Sequence, residues 1–312
     1  MKSNFINGIA IAVVFGFFCS CTGAGSGTDA VTLKFNLEKG KSYEYAMKTH
    51  FDMTLDMKGK KMETGGDVDF GFNMKVDDVD AQGNRMLTNS YDAIRFRMNA
   101  MGMDMGYDSK NIGDTTHENL TSGIFRKIFG AMVGKSFKMT MSPTGEITKI
   151  VGLREMVDAM SEHLNVPDNM KEKMSQQFKQ SFNEDQVRQN FQQGFGFYPG
   201  KPVKVGDSWN KNLNTNINNM AMNLDSKYTV REIMGNNVTI DVTSMIKAGG
   251  GDTASVAGHL DMKGESKGSM VVDLPTGLAK NSRVEMNMKL SSPALQQPMD
   301  MKMTMTIEGK QL

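Results

Sequence analysis

The sequence predicts a mainly β, α+β fold: a curved antiparallel sheet or half-barrel, built from two related β halves, with a central two-helix segment packed against it. Three observations carry this. Apolar residues recur at every second position through most of the 312 residues, the mark of strands with one buried and one wet face. The period lengthens to that of a helix only between about residues 152 and 193. The same turn chemistry appears in the same order on either side of that helical stretch.

Residues 1–20 precede the fold. Lys2 gives a positive start, and the apolar run from Ile6 to Phe18 is broken only by Asn7, Gly8 and Gly16. That run is too short to span a bilayer and no stop-transfer pattern follows it, so it reads as a cleaved export signal. Its end, Phe18-Cys19-Ser20-Cys21, resembles the lipobox of bacterial lipoproteins, which implies cleavage before a diacylated Cys21 and a membrane anchor there. Residues 21–30 are a Gly/Ser-rich flexible tether.

The first β half spans 31–150. Phe51, Met53, Leu55 and Met57 alternate with polar residues, as do Val68, Phe70, Phe72, Met74 and Val76. Gly40-Lys41-Ser42-Tyr43 and Gly134-Lys135-Ser136-Phe137 each open a strand, and Ser142-Pro143-Thr144-Gly145 has the composition of a tight turn. Residues 151–200 are helical. Leu153, Met156, Val157 and Met160 form one apolar stripe; Met170, Met174, Phe178 and Phe182, with Val187 and Phe191 after them, form a second. The second β half, 201–312, repeats the first half's signals: Gly206-Asp207-Ser208-Trp209 opens a strand and Leu274-Pro275-Thr276-Gly277 turns. Its last strands alternate through Val284, Met286, Met288 and Leu290, then Met299, Met301, Met303, Met305 and Ile307.

The segment from Tyr198 to Trp209, Tyr-Pro-Gly-Lys-Pro-Val-Lys-Val-Gly-Asp-Ser-Trp, together with Leu37-Glu38-Lys39-Gly40-Lys41-Ser42-Tyr43, resembles an uncharacterised lipoprotein family of Bacteroidota. The resemblance implies an exported lipoprotein and brings no catalytic residues with it. Surface lipoproteins of that group tend to carry acids directly after the lipidated Cys. Here Thr22-Gly23-Ala24-Gly25-Ser26-Gly27 intervenes before Asp29, so the expected address is the cell envelope, on the outer membrane and facing the periplasm.

Charge excludes some partners. Loss of Lys2 with the signal leaves 35 Lys+Arg against 35 Asp+Glu, a balance that steers the chain to neither nucleic acid nor anionic lipid. Both cysteines, Cys19 and Cys21, lie in or beside the leader, so no disulfide staples the domain. Several short motifs resemble sites but lack the context that chemistry needs. Gly264-Glu265-Ser266-Lys267-Gly268 has the G-x-S-x-G form, yet a strand follows it rather than a helix, and it reads as a charged bend between strands. Gly130 to Ser136 is a phosphate loop one residue short. Asp77 to Gly83 is a hairpin turn with solvated acids rather than a calcium loop. Asp114-Thr115-Thr116 and Asp252-Thr253-Ala254 resemble O-glycosylation signals of Bacteroidota.

Methionine is the outlier, 30 of 312 residues. Its alternating spacing projects several thioethers from one face, as a soft-metal site would require. The same phase carries Val, Leu, Ile and Phe elsewhere, and no His or Cys joins the ladders, so these Met act as hydrophobes, either packing the core or lining a ligand cavity. The expectation is therefore a non-enzymatic protein without metal or cofactor. It binds a lipid or other apolar small molecule in a groove lined by Met101, Met103, Met286, Met288, Met301, Met303 and Met305. The competing reading is a structural or assembly component of the outer membrane acting on an unidentified protein partner.

Overall fold

A computed structural model describes residues 29–312, apart from 58–59, 101, 112–119, 163–171, 173–174, 177–178, 180–182, 218–219, 250–260 and 293–296. In chain order the strands of the first half are β1 (Ser42–Met57), β2 (Lys60–Val79), β3 (Arg85–Ala100), β4 (Met103–Asp108), β5 (Ser136–Met141) and β6 (Ile147–Val151). Those of the second are β7 (Ser208–Ile217), β8 (Met220–Met234), β9 (Asn237–Gly249), β10 (Asp261–Asp273), β11 (Ala279–Ser291) and β12 (Met299–Gln311). The described helices are α1 (Leu120–Met132), α2 (Leu153–Glu162) and α3 (Glu184–Phe195).

All strands join one open, curved antiparallel sheet in the order β6-β5-β3-β2-β1-β12-β11-β10-β9-β8-β7, with β4 also paired to β3. That order contains one meander twice: β6-β5-β3-β2-β1, then β11-β10-β9-β8-β7, with β12 stitching the two together. The halves agree in detail. In the first, Gly40 N–H donates to the Val76 carbonyl (2.8 Å) and Val76 N–H donates to Lys41 (2.9 Å). In the second, Gly206 donates to Val230 (2.9 Å) and Val230 donates to Asp207 (2.9 Å). Each Val is followed by a register shift, at Val76/Asp78 in β2 and Val230/Glu232 in β8. Recurrence of turn residues alone would not reproduce a paired bond and a bulge at matching places.

The three Gly-x-Ser-aromatic motifs each place Ser first in a strand (β1, β5, β7) and bury the aromatic: Tyr43, Phe137 and Trp209. The Pro-Thr-Gly turns close the β5–β6 and β10–β11 hairpins at one end of the sheet, its base. There the buried segment Leu33, Phe35 and Leu37 joins the halves, because Phe35 N–H donates to Pro143 (2.8 Å) and Asn36 N–H to Thr276 (2.9 Å), one residue in each turn. Asp77 to Gly83 leads into the β2–β3 hairpin, whose Asp80 accepts hydrogen bonds from the Gln82 and Asn84 backbone.

Strand alternation fixes one apolar face, and the helices pack on it. Leu153, Met156 and Val157 of α2 are buried as their stripe predicts. In α3, Phe191 meets Phe72 and Phe137, and Phe195 meets Phe35 and Tyr45. The α3 helix lies beside both edge strands, β6 and β7. Gln192 guards the β6 edge by accepting from Ile147 N–H (3.2 Å) and donating to the Gly145 carbonyl (3.1 Å), as a further strand would. The second expected stripe, Met170, Met174, Phe178 and Phe182, lies outside the described residues.

Two expectations are corrected. Helix is not confined to 152–193, since α1 interrupts the first β half. Its Gly123 and Gly130 are poor helix formers, but Phe129 packs on Phe96 and stacks on Tyr107, and that burial decides the conformation. Gly264 to Gly268 is not a bend between strands; it lies inside β10. Both glycines sit on the apolar side where β10 and β11 approach closely. A Cβ on Gly268 would overlap the Arg283 carbonyl, and one on Gly264 would lie 2.6 Å from Met288 Cγ.

One buried amide is badly served. Asn89 of β3 is 1% exposed, and neither end of its carboxamide has a partner among the described residues. Asn89→Leu, close in volume, is expected to stabilise the fold by about 1–2 kcal/mol, because an orphaned buried amide costs that much. Denaturant unfolding checks this. A loss of stability on substitution would show that the amide is satisfied by water in solution.

Candidate functional site

The continuous core fills the base half of the apolar face, through Tyr43, Tyr45, Met74, Leu87, Met139, Met141, Val238 and Ile240. Toward the opposite rim, the methionines of β11 and β12 stand outside it. Met286 pairs directly with Met303, and Met288 with Met301; Met301 then faces Met53 across β1, and Met303 faces Phe51. Met305 sits between Val284 and Thr49. Met288 is buried at 7% exposure, whereas Met286, Met301, Met303 and Met305 are half-buried. The structure therefore brings five of the seven expected groove residues into one patch.

The other two stand apart. Met103 on β4 is 59% exposed and is separated from β12 by β3, β2 and β1. Met101, Cys21, Asp114-Thr115-Thr116 and Asp252-Thr253-Ala254 lie outside the described residues. Sequence reading missed Met262 and Met222, which extend the apolar rows onto β10 and β8: Met262 pairs with Leu290 and Ala248, and Ala248 pairs with Met222. Their even spacing within strands was the available signal. The same-face row through Met303 and Met286 continues as Ser266, Ser244 and Ser226, all buried, with Ser226 Oγ 2.8 Å from Ser244 Oγ.

At the rim, the ends of β7–β10 meet α3 around a pocket of about 330 Å³. Met222, Ala248 and Met262 contribute to it from the apolar rows, and Asn214, Asn223, Lys247 and Lys263 from the polar rows, with Gln189 from α3. This volume falls at the small end of ligand pockets.

Among the described residues the geometry gives no support to a hydrolase triad. Ser266 is on the apolar face of β10, while His50 is on the polar face of β1, three places along the sheet. His50 Nδ1 lies 2.8 Å from Asp67, and that hydrogen bond, with the nearby Asp52 charge, raises its pKa above the ordinary histidine value despite some desolvation. Among the described residues no group of His, Cys, Asp and Glu is arranged to hold a metal ion.

If the ladder Met act as hydrophobes, replacing Met301, Met303 and Met305 together by Leu should change stability by less than about 1.5 kcal/mol and leave no copper-binding difference. Copper(I) titration of both forms checks this. Tight stoichiometric binding that disappears in the triple variant would contradict it.

A family model described as a family of unknown function (DUF6263) matches residues 82–279. No curated protein matches the chain. Solved structures similar to it include an outer membrane channel from Pseudomonas putida F1, 7% identical, covering 88% of this chain and 97% of that one at a TM-score of 0.22. The translocator domain of the autotransporter NalP from Neisseria meningitidis is 5% identical, with 88% and 90% covered and a TM-score of 0.22. A DUF1329 family protein from Desulfovibrio piger is 9% identical, with 87% and 84% covered and a TM-score of 0.13. Scores this low assign no function.

Proposed function

The chain belongs to the DUF6263 family of unknown function, and we propose that it is an exported, membrane-anchored lipoprotein of the cell envelope whose sheet binds an apolar ligand such as an acyl chain. One observation carries the binding reading. The Met-bearing rim half of the apolar face is left half-exposed while the base half of the same face is closed by the core and helices. Contiguous exposed apolar surface on a folded protein marks a binding site, and flexible thioethers suit a ligand of variable shape. The anchor is Cys21, read from the lipobox-like sequence. The non-enzymatic reading is part of this proposal; among the described residues no group of His, Cys, Asp and Glu is arranged to hold a metal ion.

The test is native mass spectrometry of the chain from Thr22 onward, which contains all of the described fold, expressed in a bacterial periplasm and purified without detergent. Co-purifying lipid-sized mass that leaves on collisional activation is the expected result. A bare chain that also ignores added fatty acid would contradict the reading and favour a protein partner instead. Cys21→Ser in the full chain should release the protein from membranes or stall its processing; an unchanged membrane fraction would contradict anchoring there.

A further inference from the structure

One row of the apolar face changes chemistry as it crosses the strands. From β1 to β8 the residues standing directly opposite one another are Phe51, Met303, Met286, Ser266, Ser244 and Ser226. Their side chains share one face, because direct pairing carries the alternation from strand to strand. The neighbouring rows stay apolar beside the serines: Tyr228 and Val242 toward the base, Leu224 and Ile246 toward the rim. Serine is a poor choice there. A hydroxyl buried among apolar groups costs free energy unless it is hydrogen-bonded, and Val or Ile would suit the strand better. Ser226 and Ser244 answer this by bonding to each other at 2.8 Å. Ser266 is 7% exposed and makes no side-chain hydrogen bond among the described residues. Gly264 and Gly268 flank it on the same face of β10, so no bulky side chain of its own strand stands beside that hydroxyl. It is an unused donor at the inner end of the Met patch. From it the row runs over half-buried Met286, Met303 and Phe51 across three strand spacings, about 14 Å.

We infer that the ligand is an acyl compound whose carbonyl oxygen accepts the Ser266 O–H and whose chain lies across the strands over Met286, Met303 and Phe51. This rests on the apolar-ligand reading above and names the ligand's polar end. A position that breaks local packing rules with no gain to the fold is where function is found. A carbonyl there supplies the partner that the hydroxyl lacks, and the chain covers side chains that are otherwise half-exposed.

The experiment compares dodecanoate, methyl dodecanoate and dodecyltrimethylammonium, by calorimetric titration below their micelle-forming concentrations, on the chain from Thr22 onward. All three carry the same alkyl length, but the ammonium has no oxygen to accept a hydrogen bond. Both acyl probes should bind at least about tenfold more tightly than the ammonium, and the tighter of the two tells a free fatty acid from an acyl ester. In Ser266→Ala that preference should vanish while ammonium binding persists. Thermal melts should show Ser266→Ala no less stable than the parent, since its hydroxyl has no partner to lose. The control Ser282→Ala, a buried serine on the same face of β11 nearer the base, should keep the preference. Equal binding of all three probes, a preference that survives Ser266→Ala, or one lost equally in the control would each overturn the inference and leave the apolar-ligand reading standing. Binding of none of the three would overturn both.

Discussion

Trp209→Ala is expected to cost about 3–5 kcal/mol of stability, the range for truncating a large buried aromatic. Trp209 follows the Gly-Asp-Ser opening of β7, is 9% exposed, and stacks on Tyr228 with ring centroids 5.6 Å apart. Its indole N–H donates to the Phe197 carbonyl at 2.7 Å, so the residue ties β7 to the segment leaving α3. Alanine would leave both a cavity and an unpaired buried carbonyl. Trp209→Phe separates these effects. It keeps much of the ring but loses the donor, and should cost only about 1–3 kcal/mol. Chemical denaturation measures both; a change within about 0.5 kcal/mol for alanine would show a surface site.

Gly277→Ala is expected to be nearly as damaging, at about 3 kcal/mol or more, because two penalties coincide. Gly277 has φ +75°, a conformation costly for alanine, and a Cβ there would overlap the Lys34 carbonyl. Its own carbonyl accepts the Tyr198 hydroxyl at 2.8 Å. The substitution would force apart the base, where the segment through Phe35 spans both halves. Gly235→Ala is the matched control: φ is +53° with nothing near the added methyl, so only the backbone penalty of about 1 kcal/mol applies. Equal effects of the two substitutions would show that the crowding at Lys34 is not present in solution.

Local pattern made most of the fold legible. Alternation such as Phe137, Met139 and Met141 marks strands because the side-chain period of two is a backbone property, and all three are buried as that pattern requires. The repeat was legible through Gly-x-Ser-aromatic and Pro-Thr-Gly because both are tied to backbone geometry. What failed depends on tertiary context. The α1 helix is held by Phe129 against Phe96 and Tyr107, contacts that no window of local sequence contains. Gly264 and Gly268 look like turn residues but answer to the backbone of β11. The candidate site was half legible: Met286, Met288, Met301, Met303 and Met305 share a phase visible in sequence, whereas Met103 shares the phase but not the place. The rim pocket depends on register across β7–β10 and on α3, so Lys247 and Lys263 become neighbours only in the folded sheet.

The family-like segment from Tyr198 to Trp209 now has a structural account. Tyr198 is fully buried and bonded to Gly277, Val203 bridges to Val31, and Trp209 closes back on Phe197. Its residues lock the base, away from the Met patch, and so they mark the fold rather than the ligand.

The most direct test of the central claim follows the methionine methyl groups themselves. In the chain from Thr22 onward, labelled with 13C at the Met ε-methyl and assigned by single Met→Leu substitutions, added dodecanoate should shift the signals of Met286, Met301 and Met303. Those of Met74, Met139 and Met141, sealed in the core, should stay in place. Shifts confined to Met234 and Met245, exposed on the polar face, or no shifts at saturating ligand, would contradict the assignment of the apolar rim as the binding site.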